Sequence, residues 1–290
     1  MPDRDRVEQM LPSRVRSLLQ KQIRDAAHAL RGRRAPSDES IHRARKRLKG
    51  ARASLRLIRE VIGDPAYRRE NACLRDAARP LSRVRDGRVM LETLDGLLKK
   101  EPGRTALSPI RRALHRDHSN ARRTLLDPRR RGEIIAMLEA AEARAGRWRF
   151  RRDSATALRG GIERLYRKGR KTLTQADSHR SEPTLHEARK GAKYLELALA
   201  PFVPAGGRRT AKLARRAEAV GDRLGKDHDL AVLRERIAPR LADAGDDGKA
   251  LLDRIDKRGE RLRAKALKQG RRLYKNKPER LLKRLEKALP

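Results

Sequence analysis

Leu and Ala supply most of the apolar residues of this chain, and they recur three and four positions apart from end to end. Alternating apolar and polar runs and clusters of β-branched residues are absent. That spacing builds one-sided α-helices and offers nothing to a half-buried strand. An all-α fold is the expectation, and Leu, Ala, Arg, Lys and Glu, all good helix formers, fill the segments between breaks. Breaker clusters divide the chain into about ten or eleven helices. In the first half they are Gly32 to Pro36, Gly63-Asp64-Pro65, Glu101-Pro102-Gly103, Asp127-Pro128 and Ala145-Gly146. In the second they are Ser178 to Pro183, Pro201 to Gly207, Gly225 to Asp227, Ala244 to Gly248 and Asn276 to Pro278. Ser37, Glu39 and Ser40 offer N-cap chemistry to the second helix, and Ser181 to Thr184 do so for its later counterpart.

Charge narrows the range of partners. The 290 residues include 76 Lys or Arg against 38 Asp or Glu, a formal charge of +38. An apolar fraction of 37% beside 39% charged residues lies near the border with disorder, and only the helical spacing of the apolar residues promises a core. Phe, Trp and Tyr total seven, too few for proteins that stack single-stranded bases on aromatic platforms. Cys73 is the one cysteine, so no intramolecular disulfide forms and a reducing compartment fits. The first residues lack the apolar core of a secretory signal, and no apolar run is long enough to span a bilayer. A cytoplasmic protein with a polyanionic partner is expected.

The two halves repeat each other. Ile41-His42-Arg43-Ala44-Arg45-Lys46-Arg47-Leu48-Lys49 aligns with Leu185-His186-Glu187-Ala188-Arg189-Lys190-Gly191-Ala192-Lys193 at an offset of 144. Leu81 to Asp86, followed by Val89, aligns with Leu224 to Asp229, followed by Val232, at an offset of 143. Two anchors at nearly one offset indicate duplication. The expected division is residues 1–147 and 148–290, two halves of one domain related by a pseudo-twofold axis and directing both His helices into a central basic groove.

On a wheel of about 100° per residue, Arg45, Lys46, Lys49, Arg52 and Arg56 fall with His42 in an arc of roughly 120°. Ile41, Leu48, Ala51, Leu55, Ile58 and Ile62 occupy the adjoining sector, and Arg43, Arg47 and Ser54 face the other way. The second copy keeps His186, Arg189, Lys190 and Lys193, with Leu185, Ala188, Ala192, Leu195, Leu199 and Phe202 as its apolar sector. Glu196 stands where the first copy has Arg52, so the second stripe is shorter. Like charges at these spacings repel by a few tenths of a kcal/mol per pair, and no acidic residue of the first stripe relieves them. A polyanion would. Guanidinium groups grip two phosphate oxygens in parallel, ammonium groups act as mobile point charges, and imidazole donates a hydrogen bond. One such stripe is an ordinary solvated face; its recurrence beside the same His in both halves is not.

His-x-x-Arg-Lys-x-x-Lys, occurring twice and each time followed by a Leu/Val-rich helix carrying Arg85-Asp86 or His228-Asp229, resembles the CHAD family of histidine-bearing α-helical domains. Tyr166-Arg167-Lys168-Gly169-Arg170 resembles it too, and the likeness runs over roughly residues 10 to 285. The resemblance implies two helical bundles about a basic channel that binds inorganic polyphosphate without turnover. Carried onto this chain, the contacts are His42, Arg45, Lys46, Lys49 and Arg52, opposite His186, Arg189, Lys190 and Lys193. Arg56 and Arg170 are further candidates, and Tyr166 a weaker one. Glu196 departs from the basic residue usual at its position.

Rival chemistries fare worse. Zinc on a helix needs His or Glu at i+3 or i+4, and after His42 and His186 those positions hold Arg and Lys. His115 and His118 stand among arginines and read as a solvated face. Asp86 and Asp229 read as helix-start caps, or as carboxylates that hold basic side chains. His28 and His179 read as surface residues, and Cys73 as a small core residue. No nucleophile, base and orienting group occur together, so catalysis is not expected, nor any cofactor or metal. The expected function is non-catalytic polyphosphate binding, with association to polyphosphate granules. The alternatives are sequence-independent nucleic-acid binding, or a scaffold coating an anionic granule through outer residues such as Arg129, Arg130, Arg131, Arg271 and Arg272.

Overall fold

The computed structural model describes residues 4–32, 35–99, 107–150, 154–203, 207–241 and 245–286. They form helices α1 (Arg4–Leu30), α2 (Asp38–Leu57), α3 (Arg59–Ile62), α4 (Asp64–Leu98), α5 (Ser108–Leu126) and α6 (Pro128–Gly146), followed by α7 (Ser154–Ser178), α8 (Glu182–Leu199), α9 (Gly207–Ile237), α10 (Gly245–Leu273) and α11 (Pro278–Glu286). Among the described residues there is no strand, and the fold is all-α.

Local chemistry sets most helix ends. Ser37 Oγ accepts the Ser40 amide at 3.2 Å, with Asp38 and Glu39 in the first turn of α2. Asp127 caps α6 by accepting the Arg130 amide at 2.9 Å, and Pro128 follows at the first helical position. Gly63, at φ +79°, takes the left-handed turn between α3 and α4. Ser181 occupies the N-cap position of α8 but makes no cap hydrogen bond; Thr184 Oγ1 donates instead to the Ser181 carbonyl at 2.9 Å.

Two expectations about breaks need correction. Gly225 to Asp227 lie inside α9, where Gly225 lies under a neighbour's side chain instead of ending a helix: a Cβ there would sit in ordinary contact, 3.6 Å from Arg189 Nε. Asp86 and Asp229 therefore stand mid-helix and cap nothing. The second helix also ends at Leu57 instead of continuing to Ile62, with Ile58 still fully buried and Ile62 packed against the core from α3. The break at Glu101 to Gly103 lies outside the described residues.

Corresponding helices of the two halves make corresponding contacts. α1 backs α2 as α7 backs α8, α5 backs α4 as α10 backs α9, and α6 packs on α1 as α11 packs on α7. α2, α4, α8 and α9 meet in the centre, where α2 touches α8 and α4 touches α9. Two apolar clusters hold this arrangement, and each mixes the halves. The larger joins Leu19, Leu48 and Leu74 with Tyr166, Leu195 and Leu224. The smaller joins Leu94, Leu97 and Ile110 with Leu233, Ile237 and Leu251.

Several side chains lie deeper than their sequence positions suggest. Ser54 is buried because α1 covers that side of α2, and its hydroxyl donates to Gln22 Oε1 at 3.2 Å. His118 is buried rather than solvated, its Nε2 in ion-pair range of Asp38 Oδ2 at 3.2 Å. Cys73 is partly buried, with Sγ 3.6 Å from the Met137 carbonyl. His28 and His179 are exposed as expected.

α7 and α8 approach closely at Gly191, where an added Cβ would lie 2.8 Å from Gly169 Cα and 2.9 Å from Thr172 Oγ1. Gly191→Val is expected to destabilise the fold by about 2–3 kcal/mol by prising these helices apart. Gly132→Ala, in open space on α6, should instead raise stability by about 0.5–1 kcal/mol. Urea unfolding of both variants checks the pair.

Candidate functional site

The apolar sectors aim the cations. In α2, Ile41, Leu48, Ala51 and Leu55 are fully buried, which leaves Arg45, Lys49, Arg52 and Arg56 half-buried along the adjoining side and His42 and Lys46 exposed. In α8, burial of Leu185, Ala188, Ala192, Leu195 and Leu199 leaves Arg189, Lys190 and Lys193 half-buried and His186 exposed.

Two connected recesses lie between these helices. The first, of about 490 Å³, is walled by Arg45, Lys49, Arg52 and Arg56 from α2 and by His186, Arg189, Lys190 and Lys193 from α8. The second, of about 460 Å³, takes His42, Arg45, Lys46 and Lys49 from α2 and Arg189, Lys193 and Glu196 from α8. His42 and His186 do not face one another; each stands in a different recess, with Arg45, Lys49, Arg189 and Lys193 common to both. Ten of the eleven expected site residues line these recesses. Arg170 does not. It lies with Asp177, Arg271 and Lys275 on another face, because α7 backs α8 from the side away from the recesses. Tyr166 is fully buried, its hydroxyl donating to the Asn276 carbonyl at 3.0 Å, and is a packing residue.

α4 and α9 supply what the search for stripes missed. Arg45 Nε donates to Ser82 Oγ at 3.0 Å, and Arg45 Nη2 lies 4.0 Å from Asp86. Arg85 reaches across the halves, donating to Asp229 at 3.1 and 3.3 Å and to Asp86 at 3.1 Å. Arg52 Nε donates to Asn71 Oδ1 at 3.2 Å, while the Arg56 guanidinium stacks 3.9 Å above the Tyr194 ring. Arg75, His228, Glu218 and Asp222 complete the walls. The signal for α4 was a second helical series, Arg75, Ser82, Asp86 and Val89, spaced by seven, four and three residues and mirrored in α9.

Counter-charge is unevenly distributed. Lys193 Nζ donates to Glu196 at 2.8 Å and to Asp222 at 2.7 Å. Burial works against its charge, but these carboxylates win and hold it above the ordinary lysine value. Asp229 and Asp86 likewise hold Arg85 up against burial. Lys49 and Arg189 have no carboxylate in hydrogen-bond range among the described residues. Burial and the charges of Arg45, Arg189, Arg85 and Lys193 push Lys49 down to about 7, and burial and Arg85 lower Arg189. Arg45 falls to about 10, mainly through burial, and stays charged at neutral pH. His42, His186 and His228 are all lowered, burial first; His186 and His228 also repel each other across 5.3 Å between ring centroids. What remains is a dense, half-dry cluster in which cations outnumber carboxylates.

The CHAD domain family matches residues 17–238, a span that holds all ten recess residues. The chain belongs to the CHAD family. A solved CHAD domain from the plant Ricinus communis shares the fold at a TM-score of 0.61 and 18% identity, over 90% of this chain and 91% of that one. No curated protein matches the chain. Within this CHAD fold, the helices that carry the repeated His motifs are the ones that wall the recesses.

The strain on Lys49 has a pH signature. Its lowered value means that between about pH 7 and 10.5 the folded chain has released a proton that the unfolded chain still holds, so stability rises with pH across that window. Lys49→Met removes the penalty. The variant should exceed the parent in stability at pH 6, and the gap should shrink by pH 9. Urea unfolding at the two pH values measures it, and a gap independent of pH would show that Lys49 is not under this strain.

Proposed function

We propose that this CHAD protein binds inorganic polyphosphate, without turning it over, in the recess between α2 and α8. The observation that carries the reading is the pair Lys49 and Arg189, half-buried among further cations with no carboxylate in hydrogen-bond range among the described residues. A linear chain of phosphates supplies the missing charge along the row from Lys49 to Arg52 and Arg56. Arginine forks and lysine ammonium groups suit its oxygens. A volume of about 490 Å³ is that of a small-ligand site. It admits a flexible phosphate chain and has no room for a duplex. CHAD membership is consistent with polyphosphate binding in general.

Nucleic acid or a granule surface would draw on the outer arginines. Arg129 and Arg130 are exposed, but Arg131 donates to the Gly32 carbonyl at 3.3 Å and Arg271 to Asp177 at 2.7 Å, so the outer set is partly engaged. No helix among the described residues is long and apolar enough to cross a membrane. On this reading, a cytoplasmic protein is drawn to polyphosphate granules through its recess.

Lys49→Ala/Arg189→Ala should weaken binding of long-chain polyphosphate about 30-fold at fixed salt, at about 1 kcal/mol per ionic contact. The same variant should lose less than about threefold toward duplex DNA, which takes its charge from the outer surface. Folding should be retained, since neither side chain has an ion-pair partner to lose. Titration of parent and variant with both polyanions is the test, and equal losses for the two would rule the recess out as the binding site.

A further inference from the structure

Shifting residue numbers by 143 or 144 carries most of the charged lining of the first recess onto that of the second, and the conversion reverses charge at one edge only. Arg45, Lys49 and Asp86 become Arg189, Lys193 and Asp229. Arg52, however, becomes Glu196, Arg75 becomes Glu218, and Arg79, one turn beyond Arg75 on α4 and outside the lining of the first recess, becomes Asp222. The first recess is accordingly lined by nine Arg or Lys and two Asp, the second by seven Arg or Lys and four carboxylates. The acidic edge is also occupied from within, because Glu196 and Asp222 grip Lys193 at 2.8 and 2.7 Å as a phosphate would. Its stem lies over Gly221, where a Cβ would come within 2.8 Å of Lys193 Cδ, so the side chain is seated in that direction by the shape of α9.

We propose that the site is one-sided. A linear phosphate chain seats one stretch against Arg45, Lys49 and Arg189 and runs outward past Arg52, Arg56 and Arg75, while Glu196, Glu218 and Asp222 repel it from the opposite recess. This rests on the polyphosphate reading above and adds a direction to it. Carboxylates facing phosphates in a half-dry recess repel more strongly than they would in bulk water. A chain continuing past Lys193 would also have to displace two carboxylates already bound there. The acidic edge thus limits how many phosphates one protein engages, and polyphosphate longer than the basic recess gains little from its extra length.

The experiment compares tripolyphosphate with long-chain polyphosphate across a salt series. The variants are Glu196→Gln/Glu218→Gln/Asp222→Asn and, separately, Glu218→Arg. The second restores the charge of Arg75 at an exposed position with no ion pair to disturb among the described residues, so it reports even if freeing Lys193 unsettles the triple variant. A control, Asp246→Asn/Asp247→Asn/Asp253→Asn, removes the same number of charges from the exposed start of α10. The expected result is a gain of about tenfold or more for the long chain with Glu218→Arg or the triple variant. The slope of log affinity against log salt should steepen by about one to two. Tripolyphosphate should change less than about twofold, and the control should change neither ligand. An equal gain for both ligands, or the same gain in the control, would reduce the effect to net charge and overturn one-sidedness. No gain in a folded Glu218→Arg would overturn it as well, leaving polyphosphate binding intact. Failure of the parent protein to bind either phosphate ligand would instead overturn the underlying reading.

Discussion

Apolar packing on one side of a helix decides what happens on the next. Ile41, Leu48, Ala51 and Leu55 cannot be buried without carrying Arg45, Lys49 and Arg52 toward the α8 cations, and Leu185, Ala192 and Leu195 impose the same on Arg189 and Lys193. The hydrophobic term is large enough to hold like charges together at a cost of several weak repulsions. Arg85 limits that cost. By bridging Asp86 and Asp229, it gives the centre of the molecule a fixed pair of carboxylates and ties α4 of one half to α9 of the other. The remaining cations are left in surplus, as charge that folding does not neutralise.

The fold class and the two stripes were legible in the sequence because helical periodicity is local: the spacing of Leu and Ala states which face goes inward, and the side chains beside it follow. Ten of the eleven residues expected at the site line the recesses. Arg170 and Tyr166 could not be judged from their neighbours, since whether a residue of α7 faces the recess or the rear depends on where α7 packs. The same limit hid His118 and Ser54, which are buried by helices distant in sequence. Glycine misled at Gly225. A glycine in a helical run is read as a break unless one knows that an arginine from another helix lies across it. Asp86 and Asp229 were recognised as repeat anchors, and of the two roles read for them the structure has the second, holding a basic side chain: both accept from Arg85, which α9 meets only after folding.

Small differences between the aligned segments of the two halves set the two recesses apart. Where the first half holds Arg45 by Ser82, the second offers Gly225 beneath Arg189 and no hydrogen bond. Position 85 is an arginine that pairs with Asp229, and its counterpart is His228, set against His186. Each change loosens one cation or ties another down, and none disturbs the apolar sectors that both halves share. The two halves in this way differ at polar positions while their helices keep corresponding contacts.

The two apolar clusters, each built from residues on both sides of the α6–α7 connection, have a consequence for the integrity of the chain. Neither half owns a complete interior: Leu94 and Ile110 are sheltered by Leu233 and Ile237, and Leu48 shares its cluster with Tyr166 and Leu195. A protease that nicked the peptide between α6 and α7 would therefore not release two modules. The fragments would stay clasped and would melt together, and either one expressed by itself would present a bare oily face to the solvent.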